Sequence, residues 1–250
     1  MVMISLDLWM YQVAVVMSGW LPNTAVALSV GGICTSMNAW AYMVPLGLGS
    51  AVNTLVGNTI GSGRGAEAKE AAFVGLLIAV VTVTFMVLSV ATNARHFIGL
   101  VAMDPNVVAL ANHTVPVLCF LMFWDGLNAV LAGIMRGSGQ QAVGALISFV
   151  AFVLCVPLCY FLGFQADPAV LATLPFVGGL QPVARVWLGI AIGGCAQTCL
   201  LLLYLSRFNW QAIADRAQEE ENTPGEAQVK IGPEDGSGGA GALKPLPAPS

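Results

Sequence analysis

Apolar residues occupy this chain in six blocks, near 1–20, 28–52, 71–92, 107–134, 141–162 and 186–206. Each block is long enough for a membrane-crossing helix, which needs roughly 20 largely apolar residues. None shows the apolar–polar alternation of a barrel strand, and helices satisfy their backbone groups internally in lipid. The pattern therefore predicts an all-α, polytopic transmembrane helical bundle of six spans. Turn chemistry separates the blocks: Leu21-Pro22-Asn23, the Gly-Ser-Gly-Arg-Gly run at 61–65, Met103 to Asn106, Arg136 to Gly139, and Gln165 to Pro168.

Charge sharpens this picture. Leu8 to Gly63 is a run of 56 residues without Asp, Glu, Lys or Arg, and charged residues make up 9% of the whole chain. A soluble domain carries about 25%. Half of the charges fall after residue 206, so the net charge of −4 reflects the tail more than the bundle. With six spans both termini lie on one side, together with Arg64, Lys69, Arg136, Arg207 and Arg216. Arg95 and Arg185 lie on the other, and the excess predicts cytosolic termini. The first block lacks a charged n-region and a small-residue cleavage site, so it is expected to stay as a span rather than leave as a signal peptide.

The domain organisation expected is a six-helix transmembrane lobe over 1–206, a polar juxtamembrane helix over 207–221 and a disordered cytosolic tail over 222–250. The tail is rich in Pro, Gly, Ala and Glu and cannot bury enough apolar surface to offset ordering entropy. All six cysteines lie in apolar windows, and Cys155/Cys159 and Cys195/Cys199 are four apart. With no His or carboxylate cluster beside them they read as small packing residues rather than metal ligands. His96 and His113 read as interfacial residues, and Trp20 and Trp210 as members of an aromatic belt.

Two intramembrane acids carry the functional argument. Asp7 lies in the first block and Asp125 in the fourth, about 16 Å along a regular helix from Arg136. An ionised Asp at a helix centre costs on the order of 2.5–3.5 kcal/mol on insertion scales, so such residues usually face an internal cavity. Protonation removes the charge, and ionisation creates a site for a cation, which is the chemistry proton coupling requires. Each acid has a second reading. Asp7 could sit at the interface, favoured by the helix N-terminus, and Asp125 could make a structural hydrogen bond to another helix. Tyr11 follows Asp7 by four residues and Asn128 follows Asp125 by three, so both are expected to line the same cleft. Pro45, Pro116 and Pro157 inside the blocks allow kinks. Gly47, Gly49, Gly126, Gly133 and Gly137 allow close helix approach.

The chain holds no phosphate-cradling Gly-x-x-x-x-Gly-Lys-Ser/Thr motif. No nucleophile–base set and no cofactor or metal motif stands out, so an enzyme is not expected, and nothing points to nucleic acid.

Several runs in order carry a family resemblance: Ser5-Leu6-Asp7-Leu8-Trp9, Ser18 to Asn23, Tyr42 to Gly47, Asn58 to Gly63, Trp124 to Gly133 followed by Arg136-Gly137-Ser138-Gly139, and Phe208-Asn209-Trp210. Together these resemble the C-terminal lobe of a multidrug and toxic compound extrusion (MATE) transporter of the eukaryotic, plant-like branch, from about Met3 to Arg216. The resemblance implies a secondary antiporter that exports organic cations, xenobiotics or secondary metabolites in exchange for protons. Asp7 and Asp125 match the family's coupling acids. Position 7 is Asp where the family usually has Glu, Gln12 replaces a frequent second Glu, and Leu55 and Gln140 replace a basic residue and a Trp. The plasma membrane or vacuolar membrane is the implied location.

The family has twelve spans in two lobes, and one lobe is present here. A fragment, truncated gene model or split gene is expected. If the chain works as it stands, a second lobe or a second copy paired in parallel would complete it. The alternative is a non-transporting scaffold or a decayed half-transporter needing a partner lobe.

Overall fold

The computed structural model describes residues 2–165, 177 and 179–222, with side chains from Trp9 to Glu219 in those segments. The expected tail from 223 onward and most of the connection over 165–182 lie outside the described residues. Among the described residues seven α-helices follow one another: α1 (Val2–Ser18), α2 (Thr24–Gly61), α3 (Gly65–Val101), α4 (Pro105–Gly137), α5 (Gln141–Tyr160), α6 (Pro182–Ser206) and α7 (Trp210–Asn222). A single π-helical turn, Phe161–Gln165, extends α5. Among the described residues, α2, α3, α4, α6 and α5 with its π turn are long and apolar enough to cross a membrane, and α1 adds an apolar helix of 17 residues. The protein is an integral membrane helical bundle.

The turns sit where the breakers predict. Asn23 takes a left-handed backbone, φ 61°, between α1 and α2, and the Thr24 hydroxyl donates back to the carbonyls of Gly19 and Leu21. Gly63, φ 75°, lets its own N–H and that of Arg64 close on the carbonyls of Ile60 and Thr59. Pro105 opens α4, where its missing N–H costs nothing, and the Asp104 carboxylate accepts from the Asn106 N–H at 2.9 Å. The helices outrun the apolar blocks. At 1.5 Å per residue α2 is about 57 Å long, nearly twice the roughly 30 Å hydrocarbon core. Polar turns such as Asn58-Thr59 and Glu67 to Glu70 continue the helices into the interface, where no apolar signal marks them.

α4 is the central helix, with most of its side chains buried, whereas α2 and α3 each turn a broad face outward. On α3 that face is the stripe Phe73, Leu77, Val81, Phe85 and Leu88, at the spacing of one helix side. In lipid the hydrophobic effect does not press helices together, so close packing has to do it. α2 and α4 meet backbone to backbone at Gly49 and Gly133, where a Cβ on either glycine would collide with the other helix's main chain. α5 and α6 use the same device: Cys159 and Cys155 fill the grooves opened by Gly189 and Gly193. Cys199, by contrast, faces outward.

Two apolar clusters result. One gathers Met10, Val30, Leu118, Leu121, Trp187 and Ile190. The other gathers Val52, Val56, Leu131, Ile134, Leu201 and Trp210. Trp210, expected in the aromatic belt, is turned inward into that second cluster, because α7 folds back beneath the α2–α3 turn. There Gln211 Nε2 donates to the Gly63 carbonyl, and Gly65 lets the α7 backbone close in.

Candidate functional site

Between the two apolar clusters lies a band of polar side chains at mid-helix positions. On one side of α4, Asp125 faces α2 and α1. Asn38 Nδ2 donates to Asp125 Oδ2 at 3.0 Å and to the Tyr11 hydroxyl oxygen at 3.0 Å. The Tyr11 hydroxyl is itself a hydrogen-bond partner of Asp125. Three helices thus converge on one carboxylate. Asn38 is 5% exposed and Asp125 half-buried. The Tyr11 ring also packs on the indole of Trp187 from α6, with centroids 6.3 Å apart.

Asp125 opens into a narrow cleft bounded by Asn38, Tyr42 and Pro45 of α2, Val83, Met86 and Val87 of α3, and Met122 of α4. Its free volume is about 10 Å³, on the order of a single water. None of the lining residues is Lys or Arg, and the ion pair formed among the described residues, Arg64 with Glu67, lies far away at the α2–α3 turn. Among the described residues Asp125 is held by hydrogen bonds to an amide and a phenol, both neutral. Pro45, inside α2, has no N–H to give the Ala41 carbonyl, and both residues line this cleft.

The sequence-derived residues divide accordingly. Tyr11 and Asp125 are brought together. Asp7 lies one helical turn before Tyr11 on α1, and its side chain is outside the described ones. Asn128 faces away from the cleft. It is buried between α4, α5 and α6, where its Oδ1 accepts from Gln197 Nε2 at 3.3 Å, and the same nitrogen donates to Ser148 Oγ at 3.0 Å. The three-residue step from Asp125 turns Asn128 by about 60° of helix, enough here to change the facing helix. Next to it, the Thr198 hydroxyl donates to the Trp124 carbonyl.

Asn38, the hub of the site, was not among the sequence-derived candidates. A signal was present: Asn38, Tyr42 and Pro45 repeat at i, i+4, i+7 in a window free of charge, marking one polar, kinked face of α2. Among the described residues no three His, Cys, Asp or Glu side chains converge as a metal centre would require.

Residues 1–161 match the family model MatE. The chain belongs to the MatE family. Protein DETOXIFICATION 14 of Arabidopsis thaliana is 32% identical over 220 residues, 87% of this chain and 42% of that protein. The crystal structure of the eukaryotic MATE transporter AtDTX14 superposes with a TM-score of 0.77 at 30% identity, covering 88% of this chain and 46% of that one. The Vibrio cholerae MATE transporter VcmN in its bent form gives 0.71 at 15% identity over 87% of this chain, a likeness of fold alone. This MatE chain thus spans less than half the length of the relatives it matches, and its bundle has the architecture of one MATE lobe.

Proposed function

We propose that this MatE chain forms one lobe of a secondary antiporter that exports organic cations or metabolites in exchange for protons, with Asp125 and Asp7 as the coupling acids. The observation that carries the reading is the Asp125 carboxylate, held within the apolar helix α4 by Asn38 and Tyr11 with no basic residue lining its cleft. An acid so placed has two ways to lose its net charge, by taking a proton or by holding a cation. Asn38 suits both states, because an amide offers N–H donors to a carboxylate and, after a flip, a carbonyl to a carboxylic acid. Proton and cation then compete for one group. A gradient of either shifts the bundle only through its differential affinity for two arrangements. The cleft holds about one water, so the present arrangement is the closed one, and a guest requires it to widen.

Tyr11 supplies a hydroxyl from α1 to Asn38 and Asp125. Asn128 contributes from the α4–α5–α6 network behind the cleft. The rest of the path comes from a second lobe or a second copy in parallel, with the termini on the cytosolic side of the plasma or vacuolar membrane. The test is flux of a fluorescent organic cation into proteoliposomes holding the full chain under an imposed pH gradient. Gradient-driven flux is expected, and Asp125→Asn should reduce it to the protein-free background. Undiminished flux in that variant would remove Asp125 as the coupling acid.

A further inference from the structure

A second polar cleft lies at the opposite end of α6 from Trp187. The bend between α6 and α7 and the α4–α5 turn enclose about 250 Å³. Arg207 closes one side and Arg216 another, with Tyr204, Phe208 and Gln140 between them. The wall is built rather than loose: the Tyr204 hydroxyl donates to Gln140 Oε1 at 3.2 Å, and the Tyr204 and Phe208 rings pack edge to face, 5.0 Å apart.

Neither guanidinium has a hydrogen bond or ion pair among the described residues. Of the nearby acids with described side chains, Asp215 accepts from Gln211 and Glu219, one turn after Arg216, is engaged in an interaction of its own. Two like charges around one hollow repel each other unless an anion enters, and the planar fork of each guanidinium suits phosphate oxygens. Depth says where that anion comes from. Immediately before Arg207, α6 exposes Leu200, Leu202 and Leu203, which belong against acyl chains. Arg207 and Tyr204 follow within one turn, at the level of the headgroups. This end also carries Arg64, Lys69 and Arg136, the side with the basic excess, where anionic lipids attract basic residues.

We propose that this cleft is a binding site for the phosphate of an anionic phospholipid, clasped between Arg207 and Arg216 with its acyl chains along the exposed leucines of α6. The occupant would tie the α6–α7 bend to the α4–α5 turn.

The experiment compares lipid retention by the full chain in detergent micelles, read by native mass spectrometry after addition of phosphatidylglycerol or phosphatidylcholine. Phosphatidylglycerol should be retained in preference, and the double variant Arg207→Gln/Arg216→Gln should weaken that retention by roughly tenfold or more. Lys69→Gln, at the same end but outside the cleft, should leave it unchanged. Equal retention of both lipids, or equal losses in Lys69→Gln and the double variant, would overturn a defined site. Inorganic phosphate supplies the last arm: displacement of the lipid by an equimolar amount would make the bare anion the ligand and refute the lipid assignment. Both arginines are exposed, so the variants keep the core, and unchanged helical circular dichroism verifies this.

Discussion

Asp125 takes its hydrogen bonds from neutral groups, and this makes Asn38 as consequential as the acid itself. A hydrogen bond to a charged group contributes about 1.5–3 kcal/mol. Asn38→Leu keeps a similar volume but removes the donor that joins Asp125 to Tyr11. Proton-driven cation flux in proteoliposomes is therefore expected to fall about tenfold or more, with the helical circular dichroism of the wild type. Flux equal to wild type would mean that Asp125 needs no positioning by α2. At this scale Asp125 was legible in the sequence, because a carboxylate between long apolar runs is costly wherever it faces. Its partner was not. The spacing of Asn38, Tyr42 and Pro45 marks a polar face of α2, but an unpaired amide in lipid is costly wherever it points, and only the packing of α2 on α4 shows that its partner is Asp125. The facing of Asn128 was hidden for the same reason: a step of three residues leaves an angular gap that neighbouring helices resolve.

Among the elements, the α2–α4 contact dominates the bundle. Its glycines let main chains touch, so adding even a small side chain forces the helices apart. Overpacking of this kind costs typically about 1–3 kcal/mol. Gly133→Val is expected to destabilise by that order, since its side chain would meet the Gly49 backbone; a lowered midpoint in detergent thermal unfolding measures it. Gly61→Ala is the control, because a Cβ there meets nothing within 4 Å. The helix boundaries were legible where Pro, Gly and Asn break the chain, at 21–23, 61–65, 103–106 and 136–139. What the apolar blocks do not show is that Asn58-Thr59 and Glu67 to Glu70 continue α2 and α3 as helix up to that turn. Composition reports where lipid ends, whereas the backbone hydrogen-bond ladder reports where the helix ends.

For the whole molecule, alternating helices place the α2–α3 and α4–α5 turns and α7 at one end, and the α1–α2 and α3–α4 turns at the other. Ser62 and Met103 are exposed, Met103 fully, and mark the two ends. With a membrane-impermeant maleimide, Ser62→Cys should react only from the cytosolic side and Met103→Cys only from the opposite side, above the background of the native thiols. In the same membranes a bifunctional maleimide should join Ser62→Cys of one copy to Ser62→Cys of another if copies pair in parallel. Monomers alone would leave a separate second lobe as the partner. Six apolar blocks gave the bundle its outline before any coordinates. The bend that brings α7 back under the bundle has no such mark, because it depends on Gly65 admitting the α7 backbone and on Gly63 leaving room for the Gln218 side chain, both from far along the chain.

The glycine seam between α2 and α4 also bears on how the cleft's preferences can be altered. Two of its three walls are locked by main-chain contact and tolerate no larger residues at the seam itself. On the third, from α3, Val83 is buried against Gly126, whereas Met86 and Val87 are half-buried and can be exchanged for side chains of different girth. Under the proposed exporter reading, room to vary the guest lies at these two positions of α3 rather than along the seam.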